Sequence, residues 1–464
     1  MGDEPLLQKV KIQEDIESVP LLQKVKIQED IESVKGIRVN NDGEEDGPVT
    51  LILLFTTFTA LCGTFSYGTA AGFTSPAQTG IMAGLNLSLA EFSFFGAVLT
   101  IGGLVGAAMS GKLADVFGRR GALGVSNSFC MAGWLMIAFS QATWSLDIGR
   151  LFLGVAAGVA SYVVLYIVEI APKKVRGTFS AINSLVMCAS VAVTYLLGSV
   201  ISWQKLALIS TVPCVFEFVG LFFIPESPRW LSRNGRVKES EVSLQRLRGN
   251  NTDITKEAAE IKVKKKEFEK KYMDNLQEFK EDGFFDLFNP RYSRVVTVGI
   301  GLLVLQQLGG LSGYTFYLSS IFKKSGFPNN VGVMMASVVQ SVTSVLGIVI
   351  VDKYGRRSLL TVATIMIYGL LEHYTPISTF MGVLVFLTSI TIGIGGIPWV
   401  MISEMTPINI KGSAGTLCNL TSWSSNWFVS YTFNFLFQWS SSDGTRDSRS
   451  FARRNSSCHY PITL

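Results

Sequence analysis

Charge is scarce in this chain. Asp, Glu, Lys and Arg make up 16% of its 464 residues, against about 25% in a typical soluble globular protein. Histidine is scarcer still, with only His373 and His459. Few general bases or metal ligands are therefore on offer. No nucleophile elbow and no phosphate-binding loop is present, so the chain does not read as an enzyme. It also carries no metal-ligand spacing and implies no cofactor. Five of its six cysteines (Cys62, Cys130, Cys188, Cys214, Cys418) lie inside apolar stretches and read as buried free thiols. The net charge of +5 is small and sits mostly in loops. It speaks for orientation in a membrane and against nucleic acid as a partner. Residues 1–48 lack the apolar segment of a signal peptide. They are polar and hold an identical tandem repeat, "PLLQKVKIQEDIESV" at 5–19 and again at 20–34, which reads as a cytosolic arm.

What the chain does have is long apolar runs. About 20 apolar residues cross a bilayer core, and such runs recur at about 49–70, 92–110, 121–140, 147–168, 179–200 and 206–224. A charged stretch, 225–294, follows and reads as short surface helices in a cytosolic loop. Runs resume at about 295–318, 331–351, 358–371, 380–403 and 414–437. The pattern predicts an all-α polytopic membrane protein. It has an arm (1–48), a first bundle (49–224), a polar loop (225–294), a second bundle (295–437) and an atypical tail (438–464). Loops after the second, fourth and eighth runs hold Lys112, Arg119, Arg120, Lys173, Lys174, Arg176, Lys353, Arg356 and Arg357, whereas the expected loop at about 71–91 has no Lys or Arg. This bias puts the amino terminus and the central loop in the cytosol. Lys205 and the pair Lys323–Lys324 depart from it.

A charged motif occurs twice. "DVFGRR" (Asp115 to Arg120) follows the second run and "DKYGRR" (Asp352 to Arg357) the eighth. "EIAPKKVRG" (Glu169 to Gly177) and "EMTPINIKG" (Glu404 to Gly412) form a second matched pair. Gly118 and Gly355 are 237 positions apart and Glu169 and Glu404 are 235 apart, so one half-molecule is present twice. Transporters are often built from such repeats, with the substrate site between them. The charged groups would then form cytosolic gates, in which Arg119 and Arg120 pair with Glu404, and Arg356 and Arg357 with Glu169. Such charge-assisted bonds bias a two-state equilibrium without touching substrate.

With "DIGR" (Asp147 to Arg150), "YIVEIAPKKVRG" (Tyr166 to Gly177), "PESPRWL" (Pro225 to Leu231), "QQLGGLSGYTFY" (Gln306 to Tyr317) and "PWVMISEMTP" (Pro398 to Pro407) added, residues 49–440 resemble the sugar porter family of the major facilitator superfamily. "GFTSP" (Gly72 to Pro76) and "SYTFNF" (Ser430 to Phe435) are most similar to its plant early-response-to-dehydration branch. The resemblance implies two six-helix repeats, monosaccharide transport by alternating access, and often a vacuolar address. It implies sugar contacts from Gln306, Gln307, Gln340 and Trp399, with Trp423 and Asn426 nearby, and gate roles for Arg150 and Arg176 beside the two motifs. Ser312 stands where the family has Asn, Ser184 where it has Gln, and Phe316–Tyr317 where it has two tyrosines.

The proton-coupled members carry an Asp in the first run; none is present here, which favours facilitative hexose transport. Glu217, in the sixth run, is either a snorkelling or locally paired acid or a substitute proton site, so a symporter stays open. A third reading is a truncated, non-transporting or regulatory relative. The ninth run is short, and after Ser441 the text turns to "SDGTRDSRSFARRNSSCHYPITL", where the family has a twelfth helix. About eleven helices are expected, the second repeat being incomplete. Finally, Glu17 with Leu21 and Leu22 forms an acidic dileucine pattern of the kind adaptor proteins read, and predicts delivery to the vacuolar membrane.

Overall fold

The computed structural model describes residues 49–160, 162–172, 175–250, 252–263, 290–354, 376–389, 391, 401 and 417–432. The ninth run, the arm with Glu17, Leu21 and Leu22, the residues Arg356, Arg357, Trp399 and Glu404, and the tail lie outside them. The described residues form helices and connections, with no strand among them. They fall into two compact units, one of residues 51–227 with those from 290 onward, the other of 228–263 with the stretch ahead of the first helix.

The larger unit begins with α1 (Leu51–Leu85), α2 (Leu89–Val116), α3 (Gly118–Ala138), α4 (Thr143–Val159), α5 (Tyr162–Ile170), α6 (Arg176–Gly198) and α7 (Trp203–Leu221). In the smaller unit lie α8 (Pro228–Arg233) and α9 (Val237–Arg248). The larger unit resumes with α10 (Pro290–Leu308), α11 (Leu311–Ser325), α12 (Asn329–Tyr354) and α13 (Pro376–Ser389), and α14 spans 417–432. Among the described residues five helices, α1, α2, α3, α6 and α7, are long and apolar enough to cross a bilayer.

Which side chains point inward identifies the solvent. In α1 the buried positions include Thr56, Thr57, Thr59, Thr64, Ser66 and Thr69, while Leu51, Leu54, Phe55 and Phe58 are exposed. A water-soluble helix does the reverse. The buried hydroxyls are satisfied locally: Thr56 donates to the Ile52 carbonyl at 2.7 Å and Thr57 to that of Leu53 at 2.8 Å. In α7 the outward face is Phe216, Phe218, Val219 and Phe222. Apolar side chains outside and hydroxyls inside suit lipid tails, where an exposed polar group has no partner.

Three expected boundaries change. The expected loop at 71–91 is mostly helix, because α1 runs unbroken through Pro76 to Leu85. Its Thr74 and Ser75 are buried and bonded to protein groups, so this stretch needs no water. The fourth run divides at Ala160 into α4 and α5. The seventh divides at Gly309–Gly310, where Gly310 takes φ +82°, a left-handed conformation that favours glycine.

Helices α2 and α4 make the tightest pair. Cβ atoms built on Gly154 and Gly158 would fall 2.1 Å from the Leu99 carbonyl oxygen and 2.4 Å from that of Gly103. The backbones touch, and the attraction is van der Waals contact over small residues. In the smaller unit, buried Arg248 donates to both carboxylate oxygens of Glu257, at 2.9 and 2.8 Å. Replacing Gly154 by Val should therefore force α2 and α4 apart and cost about 1–3 kcal/mol. Gly301→Ala, where a Cβ meets nothing within 4 Å, should be neutral or stabilising. Thermal unfolding of the two detergent-purified variants checks this.

Candidate functional site

Two clusters of polar contacts occupy opposite ends of the larger unit. The first is built where α2 turns into α3. Gly118 takes φ +80°, and a Cβ there would sit 2.4 Å from a Glu226 carboxylate oxygen. This turn aims the first N–H groups of α3 at Glu226, which accepts from the backbone of Arg119 at 2.9 Å, Arg120 at 3.2 Å and Ser227 at 2.8 Å. A helix amino terminus favours an anion there. The Arg119 guanidinium lies buried across the carboxylate of Glu169, with Nε and Nη2 each 3.2 Å from an oxygen, and Nη1 donates to the Ala114 carbonyl at 3.1 Å. The Ser227 hydroxyl donates to Glu169, and Tyr166 donates to the Pro225 carbonyl. Asp115 stands 3.8 Å from Arg119, and Arg176 Nη2 donates to the Ala171 carbonyl at 3.3 Å.

Among the described residues Glu169 takes Arg119, from its own half; the expected partners Arg356, Arg357 and Glu404 lie outside them. The turn at Gly118 and the end of α5 lie on the same side of one bundle, so the two side chains meet without crossing halves. Glu226 and Ser227 carried no expected role, although Pro225-Glu226-Ser227-Pro228 was visible as a motif. The backbone of Asp352 lies in α12.

At the other end, bonds do cross between halves. The Ser75 hydroxyl of α1 donates to that of Ser319 in α11 at 2.8 Å, and the Ser319 N–H donates back to Ser75 at 2.9 Å. Tyr195 of α6 donates to the Thr315 carbonyl. Phe316 and Tyr317 are buried, and the Tyr317 ring packs edge-on against Phe92 at 6.5 Å. Arg150 belongs to this end, not with Arg119. Its guanidinium is fully buried and donates to the Ala70 carbonyl at 2.7 Å and to the Thr74 hydroxyl. It lies over the rings of Phe95 at 5.1 Å and Phe316 at 5.9 Å. A buried cation is here held by a carbonyl, a hydroxyl and two ring faces, with no carboxylate bonded to it among the described residues.

Between the ends, some expected sugar contacts come together. Gln307 of α10 donates to Ser422 of α14 at 3.0 Å. The Trp423 ring lies on Gly103 of α2, so closely that a Cβ at Gly103 would be 2.2 Å from it; this contact joins the halves. Gln306 is buried beside Gln307. Asn426 accepts from Ser430 at 3.2 Å along α14. Gln340 lines a narrow cleft with Tyr195, Tyr314 and Ser337. Ser184 is half-buried in α6; its neighbour Asn183, to which no role was assigned, accepts from Thr64 of α1 at 2.6 Å. Ser312 opens α11. Glu217 is 2% exposed, with its carboxylate against Gly63, where a Cβ would lie 2.7 Å from an oxygen. It neither reaches the surface nor pairs with a cation among the described residues.

Comparison with known proteins agrees with this geometry. Residues 52–445 match the family model described as "Sugar (and other) transporter". The chain belongs to that family. It is similar to ERD6-like 13 of Arabidopsis thaliana, 94% identical over 458 residues, which cover 95% of this chain and 92% of that protein. Sugar transporter ERD6-like 11, also of Arabidopsis thaliana, is 45% identical over 422 residues, covering 88% and 89%. Among solved structures, a partially occluded inward-open form of the xylose transporter XylE from E. coli superposes with a TM-score of 0.67 at 20% identity, over 83% of this chain and 92% of that one. The fold is that of the major facilitator superfamily, and this member of its ERD6-like branch is a multi-pass membrane protein and not an enzyme.

Burial holds the Glu226 carboxyl above the ordinary carboxylate range, despite the backbone donors that act to lower it. The folded state therefore holds that proton more tightly than the unfolded chain does. Stability from this group is fully present below the ordinary carboxylate value and is lost as pH rises through the raised one. Acidifying from about pH 7 to about pH 5 should stabilise the native chain more than Glu226→Gln. Glu226→Ala, which leaves three N–H groups without their acceptor, should cost about 1–3 kcal/mol. Thermal melts across that pH range check both statements.

Proposed function

We propose that this chain carries a hexose across its membrane by alternating access, without coupling to protons. The observation that supports it best is the set of bonds that cross between halves at the end that holds Ser75 and Ser319. A carrier with that end closed makes such bonds, and its substrate site lies between the halves, by the Gln307–Ser422 bond and Trp423. Amides and hydroxyls both donate and accept, which matches a sugar's hydroxyls, and an indole offers a face to the ring. The relative ERD6-like 11 is named a sugar transporter. Gln307→Ala and Trp423→Ala should each weaken hexose binding about tenfold, near 1.4 kcal/mol, measured on purified folded protein. Unchanged binding in both would place the sugar elsewhere.

The uncoupled reading rests on α1, which has no acid anywhere along Leu51–Leu85, and on Arg150, whose hydrogen bonds among the described residues go to a carbonyl and a hydroxyl. Hexose uptake into transporter-null cells should stay the same when an uncoupler collapses the proton gradient. The second reading, a proton symporter, rests on Glu217: an acid buried against Gly63 is an unusual residue to keep inside a membrane. Loss of accumulation with uncoupler, repeated by Glu217→Gln, would favour it. For the address, we assign the vacuolar membrane with a cytosolic amino terminus, through adaptor recognition of Glu17, Leu21 and Leu22. Fluorescently tagged protein should leave that membrane when both leucines become Ala, and plasma-membrane residence of the unaltered chain would refute the assignment.

A further inference from the structure

We propose that the closed end carries a second monosaccharide site, separate from the central one, whose occupant ties the two halves together. The proposal rests on the sugar-carrier reading above. A cavity of about 210 Å³ lies beside the Ser75–Ser319 bond. That is smaller than drug-sized pockets of about 300–1,000 Å³ and suits a single sugar ring. Ser75 and Gln78 of α1, Ser199 at the end of α6, and Ser319 and Lys323 of α11 supply its polar wall. Leu196 and Met334 supply an apolar one.

The chemistry of the walls selects the ligand. Hydroxyls and an amide donate and accept, and an ammonium donates three times; together they match a ring bearing several hydroxyls. The apolar residues face the ring's C–H surface. Among the described residues no carboxylate lines the cavity, so a cationic ligand or a metal ion would find no counter-charge in them. Lys323 also departs from the positive-inside pattern of the other short loops. A contact with ligand accounts for a cation kept at that end.

Position gives the consequence. Helices α1 and α6 form one side of the cavity, α11 and α12 the other, and these come from different halves. Opening this end requires Ser75 to leave Ser319 and Tyr195 to leave Thr315. A sugar bonded to both walls adds contacts that opening breaks, so its binding holds this end shut. High sugar concentration on this side then slows transport.

The test uses the full chain in lipid nanodiscs with D-glucose as the probe. Thr79, an exposed lining residue, is changed to Cys, and its maleimide labelling is followed by mass spectrometry. Glucose should slow labelling at least about threefold, the scale of one net hydrogen bond. Protection should persist with Gln307→Ala and vanish with Gln78→Leu combined with Lys323→Ala. If the double variant melts at a lower temperature, Lys323→Gln on the exposed rim replaces it, and should weaken protection. Protection that disappears with Gln307→Ala would show sugar acting through the central site only, and would overturn this proposal while the carrier reading stands. Equal protection in the native, double and Lys323→Gln proteins would overturn it too. Absence of any glucose binding by equilibrium dialysis would overturn both readings.

Discussion

A bilayer interior offers no water to a polar group, and the rest of this structure follows from that constraint. Hydroxyls such as Thr56, Thr57 and Ser66 turn inward and bond to carbonyls of their own helix, while Phe and Leu face outward. Apolar burial then cannot drive helix against helix, because lipid serves a Leu as well as protein does. Contact must come from backbones brought close, as Gly154 and Gly158 bring α4 onto α2. A carrier built in this way keeps its polar side chains where a polar substrate must pass.

The two ends use polarity differently. At Arg119, charged groups join segments of one half: the α2–α3 turn, the end of α5, and the chain leaving α7. Such bonds hold the segments of one bundle to each other. At Ser75 and Tyr195, neutral hydrogen bonds and ring contacts join the halves. Neutral bonds are weak net contributors, about 0.5–1.5 kcal/mol each, so parting them costs little. Arg150 lies at the junction of these roles. It is anchored to α1 by a carbonyl and a hydroxyl and faces the opposite half at the ring of Phe316.

Much of this was legible in the sequence. Runs of apolar residues gave the membrane class, and the spacing of Gly118 to Gly355 and of Glu169 to Glu404 gave the duplicated half. Arg119 and Glu169 were recognisable as a pair of opposite charges at bundle corners. Their pairing with each other was not, because a repeat allows partners within a half as well as across halves. Glu226 escaped notice for a related reason. Its partners are backbone N–H groups, which no residue type announces. Helix ends were misplaced where Ser, Thr and Pro suggested a loop, as at Gly72 to Pro76, since a helix enclosed by other helices satisfies those groups without water.

By itself, the sequence determined what kind of environment each stretch occupies and that two similar halves exist, because hydropathy, charge bias and repeat spacing are properties of residues counted along a chain. Only the tertiary structure decided that Ser75 bonds Ser319 across the halves, that Arg150 lies over the rings of Phe95 and Phe316, and that Trp423 of one half rests on Gly103 of the other. Those are distances between residues far apart in the chain. They depend on how two nearly equivalent bundles are tilted against each other, and the same residues can meet or part as that tilt changes.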